Sequence, residues 1–407
     1  VNILNKPDLA IDGTVSTDGT IAGIYPDISL NGDLKVENLS YLGKIIPEIS
    51  AKLHLDQFGG KINPLVLSLT ENKIIMNGFF PFQKGEKPRE LDITINIASG
   101  PLDALTYYLP QYFSKAVGNI QADLRLFGNP TAPIISGDGR FDASELGFQG
   151  MPQPLRKVEL GFTTKDGVVF FSPAKALFGK GLLQGDGALN FRDGIGSLTA
   201  QISGENLDFS MSGLELHKAR ASLNASGNLY NPVIRGKIII PQGKFLLAEN
   251  LPSTSRSTMN LPLKSLDYAF DIEIPRNFWL KNSFINAEMK GKMTLSGDLQ
   301  AFHLSGGFQT LRGWLFFQRH KFIIDTGEVK FGEHDGKIDP SIRFKSVTRL
   351  QNIQVFLTLQ GTMSSFTPKL YSSPPMNEGD LISLLTLGMS KQPPPEVVAL
   401  RFTPRGG

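Results

Sequence analysis

Apolar and polar residues alternate along much of this chain, and this alternation limits the possible folds more than any other feature. Residues 120–126 read Ile-Gln-Ala-Asp-Leu-Arg-Leu, and similar runs occupy residues 268–274, 287–295 and 353–359. Because successive side chains of a β-strand point to opposite faces, each run predicts a strand with one apolar and one polar face. Such strands belong to antiparallel sheets that are covered on one face. We therefore expect an all-β protein with a mostly antiparallel sheet.

Residues that favour tight turns separate these runs. They recur at intervals of roughly ten to fifteen residues, which predicts roughly 25–30 strands. Gly, Asn and Asp are typical of two-residue hairpin loops because they tolerate a positive φ. The expected turns include Asp12-Gly13, Asp18-Gly19, Asn31-Gly32, Asp166-Gly167 and Asp335-Gly336.

Two segments have the pattern of a short helix. Residues 101–109 form the first, and Pro110 would end it. Residues 377–387 form the second, in which Asn377 is a suitable N-cap and Asp380 lies three positions later. The apolar side of this second helix carries Leu381, Leu384 and Leu385.

A degenerate repeat recurs along the chain. It consists of a Gly-Asn or Gly-Asp turn, a short excursion, and then Pro-x-apolar-x-Gly. One copy occupies residues 128–137 and another residues 227–236, and two looser copies begin at Gly297 and Gly361. The spacing of the copies is too irregular for a propeller or a solenoid of fixed period. The repeat instead favours a meandering sheet that is extended by units of several strands.

The predicted helices are too few to cover an apolar face of this size. An open sheet of many strands must curl or pair to hide such a face, so we expect a long curled sheet, shaped like a trough or a taco, with an apolar lumen. At ~4.8 Å per strand, the trough would be roughly 120–145 Å long. Four segments are expected: a first β-rich segment at 1–110 that ends in a short helix, a repetitive β-trough at 111–375, a short Leu-rich helix at 376–390, and a Pro-rich linker or cut end at 391–407.

The composition excludes several classes of function. Lys and Arg total 41 and Asp and Glu total 38, so a net charge of +3 leaves no general basic surface for nucleic acid. The chain has no Cys and five dispersed His, so we expect no metal, no cofactor and no cysteine nucleophile. No phosphate loop, dinucleotide fingerprint or nucleophile elbow is complete, and we expect no enzyme. No apolar run reaches the ~18 residues that a transmembrane helix needs.

What remains is an apolar surface without reactive groups. The ordinary explanation of such a surface is a closed sandwich or barrel core. The alternative is a trough whose apolar floor stays partly open, and open apolar patches usually mark ligand or partner sites. In the open trough, the residues expected to line a lipid groove are Ile120, Leu124, Leu126, Phe270, Ile272, Ile274, Met289, Met293, Leu295, Ile353, Val355, Leu357 and Leu359.

The run from Gly361 to Gly388 combines several features. It has a Gly turn, a Pro-x-apolar step at Pro368, a Ser-Ser-Pro-Pro segment, an acidic residue at Asp380, and a short Leu-rich helix that ends in Gly. In this combination it resembles the C-terminal domain of the TamB family, and the earlier copies of the repeat are similar to repeats upstream in that family. Family members usually continue past the Leu-rich helix into further strands, whereas here a Pro-rich tail ends at Gly407. We expect the chain to be a fragment of a longer protein.

The resemblance implies a location in the periplasm of a diderm bacterium, with an inner-membrane anchor formed by an N-terminal helix that is absent here. It implies a partner in the outer membrane, a barrel of the Omp85 type similar to TamA. It also implies a role in moving phospholipids between the two membranes, or in outer-membrane biogenesis and protein secretion. Three roles are open for the 377–387 helix: it plugs the end of the trough, covers a sheet edge or docks a partner. In the last case Leu381, Leu384 and Leu385 are expected to face the partner.

Three functions are open at this stage. In the first, phospholipid acyl chains move along the apolar floor, which removes a cost of about 0.8 kcal/mol for each methylene exposed to water. In the second, an exposed sheet edge pairs with a barrel strand during outer-membrane protein assembly. In the third, the chain is a structural, adhesin-like β-protein. If the first is right, Leu357→Asp or Ile272→Asp should block lipid passage without unfolding the sheet.

Overall fold

The computed structural model describes residues 11–41, 44–69, 72–82, 90–108, 110, 113–148, 153–191, 196–211, 213–228, 231–246, 267–298, 302–332 and 339–387. These residues form 22 strands and two helices. The strands are β1 (Ile11–Ile24), β2 (Asp27–Tyr41), β3 (Lys44–Asp56), β4 (Gly59–Leu69), β5 (Asn72–Pro81), β6 (Leu91–Pro101), β7 (Phe113–Asn129), β8 (Ala132–Phe148), β9 (Leu155–Lys165), β10 (Val168–Phe178), β11 (Gly181–Asn190), β12 (Ser197–Met211), β13 (Leu214–Asn228), β14 (Asn231–Ile239), β15 (Gln242–Leu246), β16 (Asp267–Lys281), β17 (Ile285–Gly297), β18 (Phe302–Phe317), β19 (His320–Phe331), β20 (Ser341–Leu350), β21 (Ile353–Thr362) and β22 (Phe366–Ser373). The helices are α1 (Asp103–Tyr108) and α2 (Glu378–Leu387).

Each strand pairs with its neighbours in the chain, and nearly all of the pairs are antiparallel. The exception is the position shared by β14 and β15, which both pair with β13 on one side and run parallel to β16 on the other. Pairing continues from β6 to β7 without a break, so the described strands form one sheet. At ~4.8 Å per strand, the sheet is roughly 100 Å long.

The two faces of the sheet differ in how deeply their side chains are buried. On β20, Ile342 and Phe344 are buried, whereas Arg343 and Lys345 are exposed. We call the face that carries Ile342 and Phe344 the inner face, and the opposite side the outer face. On the inner face, Phe322 is 0% exposed. In the described part of the chain, only the sheet itself and two short helices are available to cover this face, so the sheet curls around its own inner face. The expected curled, all-β trough is confirmed.

β-Bulges provide the bends that a curled sheet needs. In β16, the register with β17 shifts between Ile274 and Phe278. In β12, the register with β13 shifts between Gly204 and Leu207. An extra residue on one strand of a pair bends that strand and increases its twist, so bulges in the middle of several strands turn a flat sheet into a trough.

The copies of the repeat lie at hairpins along one long edge of the trough, which we call the first rim. They form the β7–β8, β13–β14, β17–β18 and β21–β22 hairpins. In the first two copies, Gly128 lies opposite Pro133 and Gly227 lies opposite Pro232, with φ angles of 93° and 107° at the two glycines. Gly adopts such angles readily. The repeat is therefore the sequence of hairpins on the first rim. Its spacing is irregular because the number of strands between copies varies.

Three of the expected turns are wrong. Asp12-Gly13 and Asp18-Gly19 lie within β1, and Asn31-Gly32 lies within β2. Gly19 and Gly32 are directly opposite each other, and a Cβ at Gly32 would lie only 2.8 Å from the carbonyl oxygen of Asp18. Here glycine lets two strands approach closely, which leaves the same sequence signal as a hairpin turn.

Other local predictions are confirmed. Asp166-Gly167 forms the turn between β9 and β10, with φ angles of 51° and 75°. The two helices fall within the two predicted segments. At the start of α2, the N–H of Asp380 donates to Asn377 Oδ1 at 2.9 Å, so Asn377 is the N-cap. The expected turn at Asp335-Gly336 lies outside the described residues.

A buried carboxylate fastens three strands together on the outer face. Glu288 of β17 is 6% exposed and accepts hydrogen bonds from the Asn277 N–H at 2.8 Å and from Arg312 Nε at 2.5 Å. Burial raises the pKa of Glu288, but these two donors outweigh burial and hold the pKa below its ordinary value of 4.5. The charged carboxylate therefore holds the bulge of β16 against β17 and β18.

We expect Glu288→Gln to lower the free energy of unfolding by about 1–3 kcal/mol at neutral pH, because Arg312 and the Asn277 N–H lose a charged acceptor. Since the folded-state pKa is lowered, this stabilisation is present above pH 4.5 and is lost as the pH falls through the folded-state pKa. Urea unfolding at neutral and at acid pH measures the difference, which should shrink in acid. The control is Glu328→Gln, because Glu328 pairs with Lys330 at the surface, and it should change stability by no more than about 0.5 kcal/mol. Equal losses in both variants would contradict this role of Glu288.

Candidate functional site

The inner face carries a continuous cross-strand row of residues that we call the inner row. It begins at Ile120 on β7 and ends at Leu304 on β18, and every member is partly exposed. Directly opposed residues of neighbouring strands lie on the same face of a sheet, so the row is a connected surface. Its members are Ile120, Phe141, Leu160, Ala174, Gly185, Ile202, Leu223, Gly236, Phe270, Leu295 and Leu304.

The structure brings all thirteen predicted lining residues to the inner face. Ile120, Phe270 and Leu295 belong to the inner row itself. The remaining ten lie on the same face beside the row or on the strands that follow it, and they are Leu124, Leu126, Ile272, Ile274, Met289, Met293, Ile353, Val355, Leu357 and Leu359. These ten differ widely in burial.

At the C-terminal end, the inner face is a filled core. Ile274 is 2% exposed, Met289 1%, Val355 0% and Leu357 1%. Ile272, Met293, Ile353 and Leu359 are partly buried and pack against this core. Four of the predicted lining residues therefore contact other side chains of the chain on nearly all sides, and the lumen is closed where they lie.

Helix α2 contributes to the filling of this end. Leu381 is 0% exposed, Leu384 3% and Leu385 2%, and Leu381 and Leu385 belong to the same core as Val355. The ring Nε2 of His320 lies 3.0 Å from the carbonyl oxygen of Leu385, which ties the end of the helix to β19. The three leucines expected to face a partner thus face the sheet in this structure.

A cavity of about 650 Å³ lies beside the inner row, where β16, β17, β18 and β19 meet. Its apolar lining includes Ile274, Phe308, Val329 and Phe331. The ring of Phe308 stacks on that of Phe278 with centroids 5.9 Å apart. The lining also includes charged residues of both signs, namely Glu273, Lys290, Lys292, Glu328 and Lys330. The cavity is the point where the open part of the inner face meets the filled core.

The middle of the inner face was not predicted from the sequence. Between β9 and β14, several large inner-face side chains, such as Phe162, Ile202 and Leu223, are partly exposed and belong to neither hydrophobic core of the described residues. Small residues such as Ala200 and Gly187 lie among the larger ones and leave space above the sheet. The sequence feature that could have revealed this region is the alternation of apolar and polar residues within β12. It is less evident there because some of the apolar side chains are short. The larger residues of this region are Phe162, Phe171, Leu183, Leu198, Ile202, Leu223 and Ile234.

Helix α1 covers part of the inner face near its N-terminal end. Leu102 and Leu105, at this helix, pack with Ile120 in a second, smaller core. Tyr108 donates its O–H to the carbonyl oxygen of Ile45 at 3.0 Å, which anchors the helix to β3. The partly exposed apolar surface of the inner face continues beside α1, because Leu124 and Leu126 lie opposite residues of β6 and remain partly exposed.

Neither a metal centre nor a membrane-spanning helix is found in the described part of the chain. Among them, no cluster of three or more His, Asp and Glu side chains is placed to hold a metal ion. No helix in the described ranges has both the length and the hydropathy that crossing a bilayer requires. The side chains of the inner row are apolar and partly exposed, so this face can hold apolar groups along its length.

Comparison with known protein families shows the family to which the chain belongs. A family model of the TamB C-terminal domain matches residues 172–394, which is more than half of the 407 residues. The chain belongs to the TamB family. The match begins in β10 and extends through α2, so it includes the segment whose motifs carried the resemblance. No curated protein matches the chain.

Membership of the TamB family places the chain in a group of transport and assembly modules rather than enzymes. The family acts in biogenesis of the cell envelope and outer membrane, works with partners of the TamA type, and is located in the envelope.

Two Leu→Ala substitutions should separate the filled end of the inner face from its open middle. Leu357 is 1% exposed, and we expect Leu357→Ala to lower the free energy of unfolding by about 2–5 kcal/mol. Leu223 in the inner row is partly exposed and loses fewer contacts, so Leu223→Ala should cost less than about 2 kcal/mol. Urea unfolding of both variants measures the difference. A larger loss for Leu223→Ala would show that the middle of the face is a closed core.

Proposed function

We propose that this chain conducts phospholipid acyl chains along its inner face, between the inner and outer membranes of the envelope. One observation carries the proposal: the inner row crosses the sheet from β7 to β18, is composed of apolar and small residues, and is partly exposed throughout. A folded protein rarely leaves so long an apolar surface accessible unless something occupies it.

The energetics of an acyl chain favour this use of the surface. Each methylene that leaves water contributes about 0.8 kcal/mol, so a long chain gains more than ~10 kcal/mol by lying on an apolar floor. Because the inner row has similar residues along its length, no position holds the chain much more tightly than the next. Movement can then follow a concentration gradient without a catalytic residue, while the polar headgroup stays in water at the open side.

The filled C-terminal end limits the proposed path. The described residues offer an open floor as far as the cavity at β16–β19, and beyond it the core of Met289, Val355 and Leu357 occupies the lumen. We infer that lipid enters or leaves the trough near this cavity. The cavity lining carries three Lys and two Glu, and this small positive excess is suited to an anionic headgroup phosphate.

The proposal includes the location and partners that membership of the family suggests. The chain would work in the periplasm of a diderm bacterium, as part of a protein held in the inner membrane by an N-terminal anchor. Its outer-membrane partner would be a TamA-like barrel of the Omp85 type. Lipid delivery by this route would support outer-membrane biogenesis.

A pair of neighbouring residues on β12 tests lipid conduction. Ile202 lies in the inner row, and Ser203 is exposed on the outer face. We expect Ile202→Asp to reduce lipid transfer between donor and acceptor vesicles by at least about tenfold, because a carboxylate in an apolar path is costly to desolvate. Ser203→Asp places the same charge on the same strand and should leave transfer unchanged.

Circular dichroism of both variants controls for folding, and Ile272→Asp provides a second inner-face variant nearer the cavity. Leu357→Asp is less informative, because Leu357 belongs to the core and its loss would unfold this end of the sheet. Unchanged transfer in folded Ile202→Asp and Ile272→Asp proteins would refute lipid conduction along the inner face.

The free edge of β22 favours a second candidate function, strand pairing with an outer-membrane barrel during protein assembly. Among the described strands, β22 pairs only with β21. However, Pro368 offers no N–H and Lys369 places a charge on this edge, and natural proteins use both residues to discourage pairing. A photo-crosslinking amino acid at Thr367 would form adducts with a barrel protein in cells if β22 pairs with it, and the absence of adducts would argue against this function.

A further inference from the structure

The outer face of β18–β22 concentrates positive charge. These five strands contain two acidic residues, Asp325 and Glu328, and Glu328 is paired with Lys330 at 2.9 Å. The whole chain has a net charge of only +3, so the local excess is a property of this surface. The same five strands carry seven exposed Lys and Arg side chains, namely Arg312, Lys321, Lys330, Arg343, Lys345, Arg349 and Lys369.

An apolar row crosses the same five strands on the same face. Ile323 is 53% exposed and Tyr371 48%, and the rings of Phe356 and Tyr371 stack with centroids 4.8 Å apart. Phe316 is 43% exposed, and its ring packs edge-to-face on that of Trp314 with centroids 6.3 Å apart. The residues that lie directly opposite one another on successive strands are Trp314, Ile323, Val347, Phe356 and Tyr371, and with Phe316 we call them the outer aromatic row.

The cations border this row closely. Lys321 Nζ lies 5.3 Å from the ring centroid of Trp314. Lys345 and Lys369 are both opposite Thr358, in the cross-strand row next to the aromatic one. Among the described residues, the ion pairs of this region are those of Arg312 and Lys330, so Lys345 and Lys369 keep uncompensated charges.

We propose that the outer aromatic row and its bordering cations bind the anionic surface of a lipid bilayer. Aromatic side chains with a polar atom, such as Trp and Tyr, favour the headgroup region of a membrane. Exposed Lys and Arg near an anionic leaflet contribute about 1 kcal/mol each. This strip of rings bordered by cations of one sign presents both contributions on the same face of the sheet, as peripheral membrane binding requires.

The charge argues against a second copy of the chain as the occupant. Two copies that paired through this surface would bring like charges together, and such pairing is unfavourable. The inner row is on the opposite face of the sheet, so binding of a membrane by the outer face is a function separate from conduction of lipid. Either proposal can fail without the other.

The two tryptophans of the chain make the test direct. Trp279 and Trp314 are the only ones, and Trp279→Phe leaves Trp314 in the outer aromatic row as the sole reporter. The full 407-residue chain with this substitution is mixed with vesicles of phosphatidylcholine alone, or with phosphatidylglycerol added as the anionic lipid. We expect flotation with the anionic vesicles only, weakening with salt, together with a blue shift of Trp314 emission and quenching by brominated lipid.

Matched variants identify the surface responsible. Lys345→Gln with Lys369→Gln should weaken binding to the anionic vesicles about 30-fold, as expected for the loss of two surface cations. Lys165→Gln with Lys175→Gln removes two exposed cations from β9 and β10 and should leave binding unchanged. Phe316→Ser with Tyr371→Ser should also weaken binding, whereas Phe170→Ser, at a ring 46% exposed on β10, should not.

Four outcomes would overturn the proposal. They are an absence of flotation with anionic vesicles, equal flotation with both kinds of vesicle, binding that persists in the Lys345 and Lys369 variant, and binding without a change in Trp314 emission. Sedimentation of the chain without vesicles adds a further check. A dimer that Phe316→Ser with Tyr371→Ser dissociates would show that a second copy covers the row.

Discussion

The structure depends on the need of a one-sided sheet to cover its own apolar face. The strands carry apolar side chains on alternate positions, and the described residues include only two short helices to place over them. A flat sheet of this length would leave the whole inner face in water. The free-energy cost is about 25 cal/mol for each square ångström of apolar surface. Bulges such as that between Ile274 and Phe278 bend the strands, and the curl follows from them.

Curling covers the inner face unevenly, and this unevenness determines what the trough can do. Where bulky residues such as Phe322 and Met289 meet α2, the lumen is full and behaves as an ordinary core. Where Ala and Gly share the face with Ile202 and Leu223, fewer large side chains fill the trough, and Ile202 and Leu223 stay partly exposed. One strand pattern thus supplies a rigid end and an open path, and the difference lies in side-chain size.

The outer face is polar in general, but it is not uniform. Glu288 is buried beneath Arg312 and Trp279, and next to them begins a surface that combines exposed rings with cations. This surface lies over the filled end of the trough, where the core provides a firm support. A C-terminal end that binds a membrane surface on the outside and adjoins a lipid cavity on the inside would bring lipid and membrane close together.

The sequence by itself determined the sheet class, the two helices and the face on which each lining residue lies. These features depend on local periodicity and on caps such as Asn377, which act within a few residues. It did not determine whether an apolar residue lies in a core or in an open lumen, because Leu357 and Leu223 have the same alternating neighbours. It also did not distinguish a glycine in a hairpin turn from a glycine that lets two strands approach closely, as at Gly19 and Gly32. Only the tertiary structure decided these points, since burial depends on which distant strands and helices a curled sheet brings together.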